Sequence, residues 1–445
     1  MDAREGALRI LYNIEVDGAY SNIALNKEFK KNTYIKLDRN FITELVYGTL
    51  ENLIFIDYII EGFSNIKLNK MDPWVLNLIR LAIYQMLFLD KIPDFAAVNE
   101  SVNLSKKYCK KASGFVNGLL RNVVRKKKDI KMPDKAKEYE KYLSVKYSHP
   151  QWMVKRFLKN FSKDFTEELL KANNKTPKLY IRVNTLKTTV EEVMDLLKES
   201  NIGVEKSPYI SEALIVDAGF SQLEELDIYQ RGFIHIQDFS SMLVGKILDP
   251  QEGDFVIDVC SAPGGKTTYI AELMQNKGKI LARDIHDHKL KLIQRNAKRL
   301  GIDIIDVQSF DATDLDHKLL DKADKVLVDA PCSGLGIIRR KPEIKYRKDI
   351  KDIENMAKTQ ARILHNAAKY VKKGGKLVYS TCTIDPDENS HVVEDFLKKN
   401  PEFKLIQINK IYNKVIPGEH RESMIQLYPN IHQVDGFFIA KLKKD

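Results

Sequence analysis

Apolar residues recur every three to four positions through the first part of the chain. "RNFITELVYGTLENLIFIDYIIEGF" and "WVLNLIRLAIYQMLFLD" keep that spacing, and "DKIPDFAAVNESVNLSKKY" resumes it after a proline turn. This period marks helices that bury one face, so residues 1–130 are predicted to be an all-helical domain. Residues 131–150 are charged, hold two prolines and read as a linker. In 151–236 the rhythm is mixed. "WMVKRFLKNF", "FTEELLKANN" and "TVEEVMDLLKES" are helical, whereas "KLYIRVNT", "ALIVD" and "GFIHIQ" read as strands, which makes a small α+β domain. From 237 to 445 short runs rich in Val and Ile ("DFVIDVC", "GKILARD", "IIDVQSF", "KVLVDA", "KLVYSTC") alternate with helical segments such as "KLKLIQRNAKRLG". That alternation predicts an α/β domain, a parallel sheet with helices on both faces. The whole is then a multidomain chain.

Composition narrows the class. A length of 445 residues exceeds one ordinary core and favours two or three domains. Apolar runs stay short; "LAIYQMLFL" is among the longest, well under a membrane span. The opening "MDAREGALRI" is charged where a signal peptide needs apolar residues. A cytoplasmic protein with no membrane partner is the expectation. The four cysteines, Cys109, Cys260, Cys332 and Cys382, form no C-x-x-C pair, so neither a zinc site nor a disulfide framework is expected. The formal net charge is +11, and between Lys106 and Lys137 twelve Lys or Arg face two Asp. Such a run is either a solvated face or an electrostatic footprint for nucleic acid.

Ligands of open α/β sheets gather at the carboxyl ends of the strands. Cys260, Asp284, Asp311, Asp329 and Cys382 all fall at or just beyond such ends. "DVCSAPGGKTT" places Cys260, Ser261, Ala262, Pro263, Gly264, Gly265 and Lys266 in a turn that opens a helix. Paired glycines let the backbone approach a ligand closely. A phosphate-binding P-loop needs glycine where Cys260 stands, and the G-x-G-x-x-G dinucleotide fingerprint is absent. Asp284, twenty residues after Gly264, suits a pair of ribose hydroxyls, and Asp311 suits an adenine amino group. Together they suggest a nucleoside cofactor without a polyphosphate, which S-adenosyl-L-methionine satisfies.

"QDFSSML", "DVCSAPGGKTT", "VDAPCSGLG", "YSTCT" and "DGFFIAKL" follow one another in this order between Gln237 and Leu442. In this the chain resembles the Sun family of 5-methylcytosine RNA methyltransferases. "RLAIYQMLFLDKIPDFAAVNESVNLSKK" followed by "FVNGLLRNVVR" resembles NusB, and this domain order is typical of bacterial enzymes acting on 16S ribosomal RNA. The resemblance implies a NusB-like domain, a small α+β domain and a Rossmann-like catalytic domain. It implies methyl transfer from S-adenosylmethionine to cytosine C5, with a thiolate adding to C6 to make C5 nucleophilic. It assigns Cys382 as nucleophile and Cys332 to product release. The related DNA enzymes use a Pro-Cys pair, which would favour Cys332. Asp329 is expected to contact cytosine N3 and the cofactor. Arg339, Arg340 and Lys341, just after Cys332, and Arg121 and Arg125 in the helical domain are expected to hold RNA phosphates. A monomer acting on 16S ribosomal RNA without a metal is the expectation. A transfer RNA substrate, or a non-catalytic assembly factor, is the alternative.

Overall fold

The computed structural model describes residues 2–217, 223–408 and 423–445. The chain forms two compact units. One comprises Met1–Lys175 with Ile338–Lys348, the other Thr176–Ile337 with Asp349–Asp445.

The first unit is helical. It contains α1 (Ala3–Val16), α2 (Ser21–Lys31), α3 (Lys36–Glu51), α4 (Leu53–Phe63), α5 (Pro73–Phe88), α6 (Asp94–Tyr108), α7 (Ser113–Lys126), α8 (Tyr139–Tyr147), α9 (Gln151–Asn160) and α10 (Lys163–Asn173). A helix that is apolar all round belongs inside. α5 does so: Leu78, Ile79, Ala82 and Ile83 have no exposure. Its start is set by Asp72, whose side chain accepts from the N–H of Trp74, with Pro73 at the first helical position. The stretch 131–150, read from the sequence as a linker, contains α8, which packs on α4 and α9 and buries Leu143 and Val145. Two deep apolar positions among charged neighbours were too few to show a period. Helices α9 and α10, read as part of the small domain, also pack within this unit.

The second unit holds two sheets. The smaller has the antiparallel order β2-β3-β1-β4, from β1 (Leu179–Val183), β2 (Val204–Lys206), β3 (Ala213–Val216) and β4 (Ile234–Ile236). α11 (Val190–Glu199) buries Val193 and Leu197 with Ile181 and Val183. The larger is built from β5 (Phe255–Asp258), β6 (Lys279–Asp284), β7 (Ile305–Ser309), β8 (Ala323–Asp329), β9 (Val371–Thr381), β10 (Phe403–Leu405), β11 (Met424–Leu427) and β12 (Phe437–Lys444). Its order is β10-β12-β9-β8-β5-β6-β7, with β11 paired to β12. β5 to β9 run parallel, as the sequence rhythm predicts; β12 lies antiparallel to β9, so the complete sheet is mixed. Helices cover both faces. α12 (Phe239–Leu248), α13 (Gly265–Leu273) and α14 (Asp287–Leu300) pack on one, α15 (Ile350–Ala368) and α16 (Ser390–Lys399) on the other. This is a Rossmann-like fold. The chain runs from β5 outward to β7, then restarts on the other side of β5 with β8 and β9. The switch point therefore lies between β5 and β8, where ligand crevices form in such sheets.

Among the described residues no helix is long and apolar enough to cross a membrane.

Candidate active site

The turn after β5 is shaped by backbone constraints. Gly264 has φ of 99°, and a Cβ there would stand 3.1 Å from the Cα of Ile293, so only glycine fits. Ser261 anchors the turn to β6, its N–H and Oγ both donating to the Arg283 carbonyl at 2.8 and 2.9 Å. Asp284 Oδ2 accepts from the Ala262 N–H at 3.2 Å. Asp311 Oδ1 accepts from the N–H and hydroxyl of Thr313 at 2.8 and 2.7 Å.

A cavity of about 230 Å³ opens beside this turn. Cys260, Ser261, Ala262, Pro263, Gly265 and Lys266 line it from one side, with Asp258 and Asp329 at the strand ends. β4 and the residues after it line the other side with His235, Gln237 and Asp238, which the sequence analysis did not assign to a site. Gly264, Asp284 and Asp311 stand outside the lining. The acids still converge. Burial pushes the Cys260 thiol well up, and Asp258, Asp329, Asp284 and Asp311 all push the same way. Burial also raises Asp258 to about 7, against a hydrogen bond from Thr267 at 2.7 Å and with Asp329 adding to the rise. His235 is pushed well down by burial and by Arg182 and Arg299, and so is neutral.

Lys266 Nζ donates to Asp329 Oδ2 at 2.7 Å, and Ser380 Oγ donates to Asp329 Oδ1 at 2.9 Å. Burial pulls the Lys266 ammonium down, but Asp329 and, beyond it, Cys382 outweigh that and raise it. The lysine therefore stays charged between the cavity and the cysteines.

Cys332 follows β8 and Cys382 follows β9, and these strands are neighbours. Their Sγ atoms lie 3.2 Å apart. That hydrogen bond, followed by burial and by Glu388, raises the Cys332 thiol well above its ordinary value. The two loops are tied together. Gly336 N–H donates to the Cys382 carbonyl at 3.0 Å, and Gly436 N–H to the Gly336 carbonyl at 2.8 Å. A Cβ on Gly336 would collide with the Gly436 carbonyl, so the "SGLG" and "DGFF" glycines serve one close crossing. Glu388, with no exposure, accepts from the Ser333 N–H at 2.8 Å and from Gln360 Nε2 at 3.0 Å. The sequence offered no sign of this acid beyond its place in "DPDEN".

Two thiols in contact, a Lys–Asp pair and a glycine turn thus come together at the carboxyl ends of the central strands. Over 99% of its length the chain is 40% identical to the probable ribosomal RNA small subunit methyltransferase B of Bacillus subtilis, covering 98% of that protein. The chain belongs to the ribosomal RNA small subunit methyltransferase B family. Residues 245–443 match the family model described as 16S rRNA methyltransferase RsmB/F, residues 1–125 the NusB family, and residues 149–221 the ferredoxin-like domain of RsmF/B-like methyltransferases. The crystal structure of PH0851 superposes on it with a TM-score of 0.87 and 30% identity, covering 100% of this chain and 99% of that one. The structure of NSun6 from Pyrococcus horikoshii with SFG matches 66% of the chain and 98% of its own, with a TM-score of 0.60 and 28% identity.

This methyltransferase B family member is an S-adenosylmethionine-dependent ribosomal RNA methyltransferase. The donor set fits that methyl donor: a cavity at the switch point lined by the carboxylates of Asp258 and Asp329, which suit a cationic sulfonium.

The basic run expected to contact RNA opens a segment that is anchored by its later residues. Arg339, Arg340 and Lys341 begin the segment that folds into the helical unit. Arg339 is buried, and Lys341 Nζ sits 5.1 Å from the Tyr20 ring centre. Glu343 accepts from the Ser21 N–H at 2.9 Å. Lys345 donates to the Glu51 carbonyl at 2.9 Å, and Arg347 donates to carbonyls of Ile14, Gly18 and Ala19. Lys345 and Arg347, held by carbonyls at helix ends, make this segment an anchor at those two residues. Arg121 and Arg125, by contrast, are exposed four residues apart on α7.

Proposed function

We propose that this chain methylates C5 of a cytosine in 16S ribosomal RNA through a transient bond between Cys382 Sγ and C6 of the base. The observation that carries this reading is the 3.2 Å contact of Cys382 with Cys332, next to the Lys266–Asp329 pair. S-adenosylmethionine supplies an electrophilic methyl group. Cytosine C5 is too weak a nucleophile to take it unaided. As the Cys382 thiolate forms the Sγ–C6 bond, electron density moves to C5 and N3. Asp329, oriented by Lys266 and Ser380, faces N3 and accepts a hydrogen bond from the proton gained there. C5 takes the methyl group, which leaves S-adenosylhomocysteine; its own proton then passes to water, and the proton that N3 borrowed from water is returned. The Sγ–C6 bond breaks and the base regains aromaticity. Cys332, kept as a thiol by its raised pKa, hydrogen-bonds the departing sulfur. The substrate assignment draws on the names of the relatives and on the NusB match at residues 1–125.

The test is transfer of labelled methyl from S-adenosylmethionine to 16S RNA, followed by nucleoside analysis. Label should appear in 5-methylcytidine and vanish in Cys382→Ala. Label in another nucleoside, or full activity in that variant, would sink the reading.

A further inference from the structure

Gln237 lines the cavity beside the glycine turn and is 7% exposed. One end of its amide faces Arg182, whose NH1 donates to Gln237 Oε1. A guanidinium has donors only, so the carbonyl end must point at Arg182 and the NH₂ end must point away. That NH₂ group, Nε2, is buried and has no hydrogen-bond partner. A buried donor left unpaired is costly, and native structures keep few of them without a reason.

Arg182 is itself rigidly held. It has no exposure, and it donates to the Gly265 carbonyl at 2.9 Å, Thr268 Oγ1 at 3.2 Å and Glu272 Oε1 at 2.8 Å. Its guanidinium lies 4.8 Å from the Tyr269 ring centre. A residue of β1 in the small sheet thus fixes both the first turn of α13 and the orientation of Gln237.

The same cavity holds a complementary orphan. Asp258 Oδ2 accepts from Thr267, while Oδ1 is buried and accepts no hydrogen bond of good geometry. One unpaired donor and one unpaired carboxylate oxygen match a zwitterionic α-amino acid. The acids suited to the nucleoside, Asp284 and Asp311, lie outside this lining. We infer that Gln237 Nε2 donates a hydrogen bond to the carboxylate on the amino-acid end of the methyl donor, and that Arg182 is the positioning residue that aims it.

The inference rests on the methyl-donor site described above, and the test separates the two. Calorimetry would compare S-adenosylhomocysteine with 5′-methylthioadenosine, which lacks the amino-acid end. Gln237→Glu keeps the side-chain length and the Arg182 contact but loses the N–H donor, and Gln237→Leu loses both. Both variants should bind S-adenosylhomocysteine about tenfold to a hundredfold more weakly. Binding of 5′-methylthioadenosine should stay within about twofold of wild type, because it has no carboxylate to lose. Thermal melting without ligand checks that Gln237→Glu is folded. Equal weakening of both ligands, or of neither, overturns the inference alone. A wild-type protein that binds neither overturns the donor site as well.

Discussion

Glu388 Oε2 accepts the main-chain N–H of Ser333 at 2.8 Å, and so fastens the loop of Cys332 to the loop of Cys382. The Ser333 hydroxyl also donates to Glu388 Oε1 and lies 2.9 Å from Thr383 Oγ1. Glu388→Ala should let the two loops drift. The expected result is a fall in kcat of about a hundredfold, as for other small misplacements of reacting groups. S-adenosylhomocysteine affinity should hold, because Glu388 does not line the cavity. Steady-state kinetics and calorimetry on one preparation check both halves, and an unchanged kcat removes Glu388 from the machinery.

The partition of labour between the thiols predicts a trapped species. If Cys382 forms the bond and Cys332 helps to break it, Cys332→Ala should accumulate protein bound covalently to RNA. A band that survives denaturing electrophoresis and disappears on nuclease digestion is the readout. The double variant lacking both thiols should show none. An adduct formed by Cys382→Ala would reverse the roles and make Cys332 the nucleophile.

Paired removal of Arg121 and Arg125 tests the helical unit as an RNA contact. Both are exposed on α7, four residues apart, so they present charge on one face. Each phosphate contact contributes roughly 0.7 to the slope of log affinity against log salt for single-stranded nucleic acid. The double alanine variant should therefore flatten that slope by about 1 to 1.5 while leaving methyl-donor binding unchanged. An identical slope would make this face a solvated surface.

Much of the catalytic half was legible because its signals are local. Strands β5, β6 and β8 are short runs rich in Val, Ile and Leu with most positions buried, and the glycine turn, Asp329, Cys332 and, after β9, Cys382 sit where strands end. What escaped depends on partners far away in the chain. Lys345 and Arg347 look like a solvated basic loop until the carbonyls of Glu51 and Ile14 are brought to them. Gln237 is an ordinary polar residue until Arg182, 55 positions away, decides which end of its amide faces the cavity. α8 was hidden because a helix of 9 residues with few buried positions leaves no lasting period. Periodicity reports burial along one element; it cannot report which polar groups meet across several.

Lys345 carries the last prediction, a pH dependence of stability. Its side chain has no exposure, and burial pushes its ammonium down to about 7, with the charge of Glu51 working in the other direction. In the unfolded chain the group returns to 10.5. Between those values the unfolded state holds a proton that the folded state has given up, so stability rises with pH across the window and is lost as pH falls through the folded value. Glu51, raised by burial to about 7, changes charge mainly below this window. From about pH 7.5 to about pH 9.5 the site should add on the order of 2 kcal/mol, and Lys345→Met should remove that gain. Urea unfolding followed by tryptophan fluorescence suits the test, because both tryptophans, Trp74 and Trp152, belong to the helical unit that contains Lys345. Wild type and variant should diverge with rising pH. Parallel curves would show that the lysine is protonated in the folded state throughout the window.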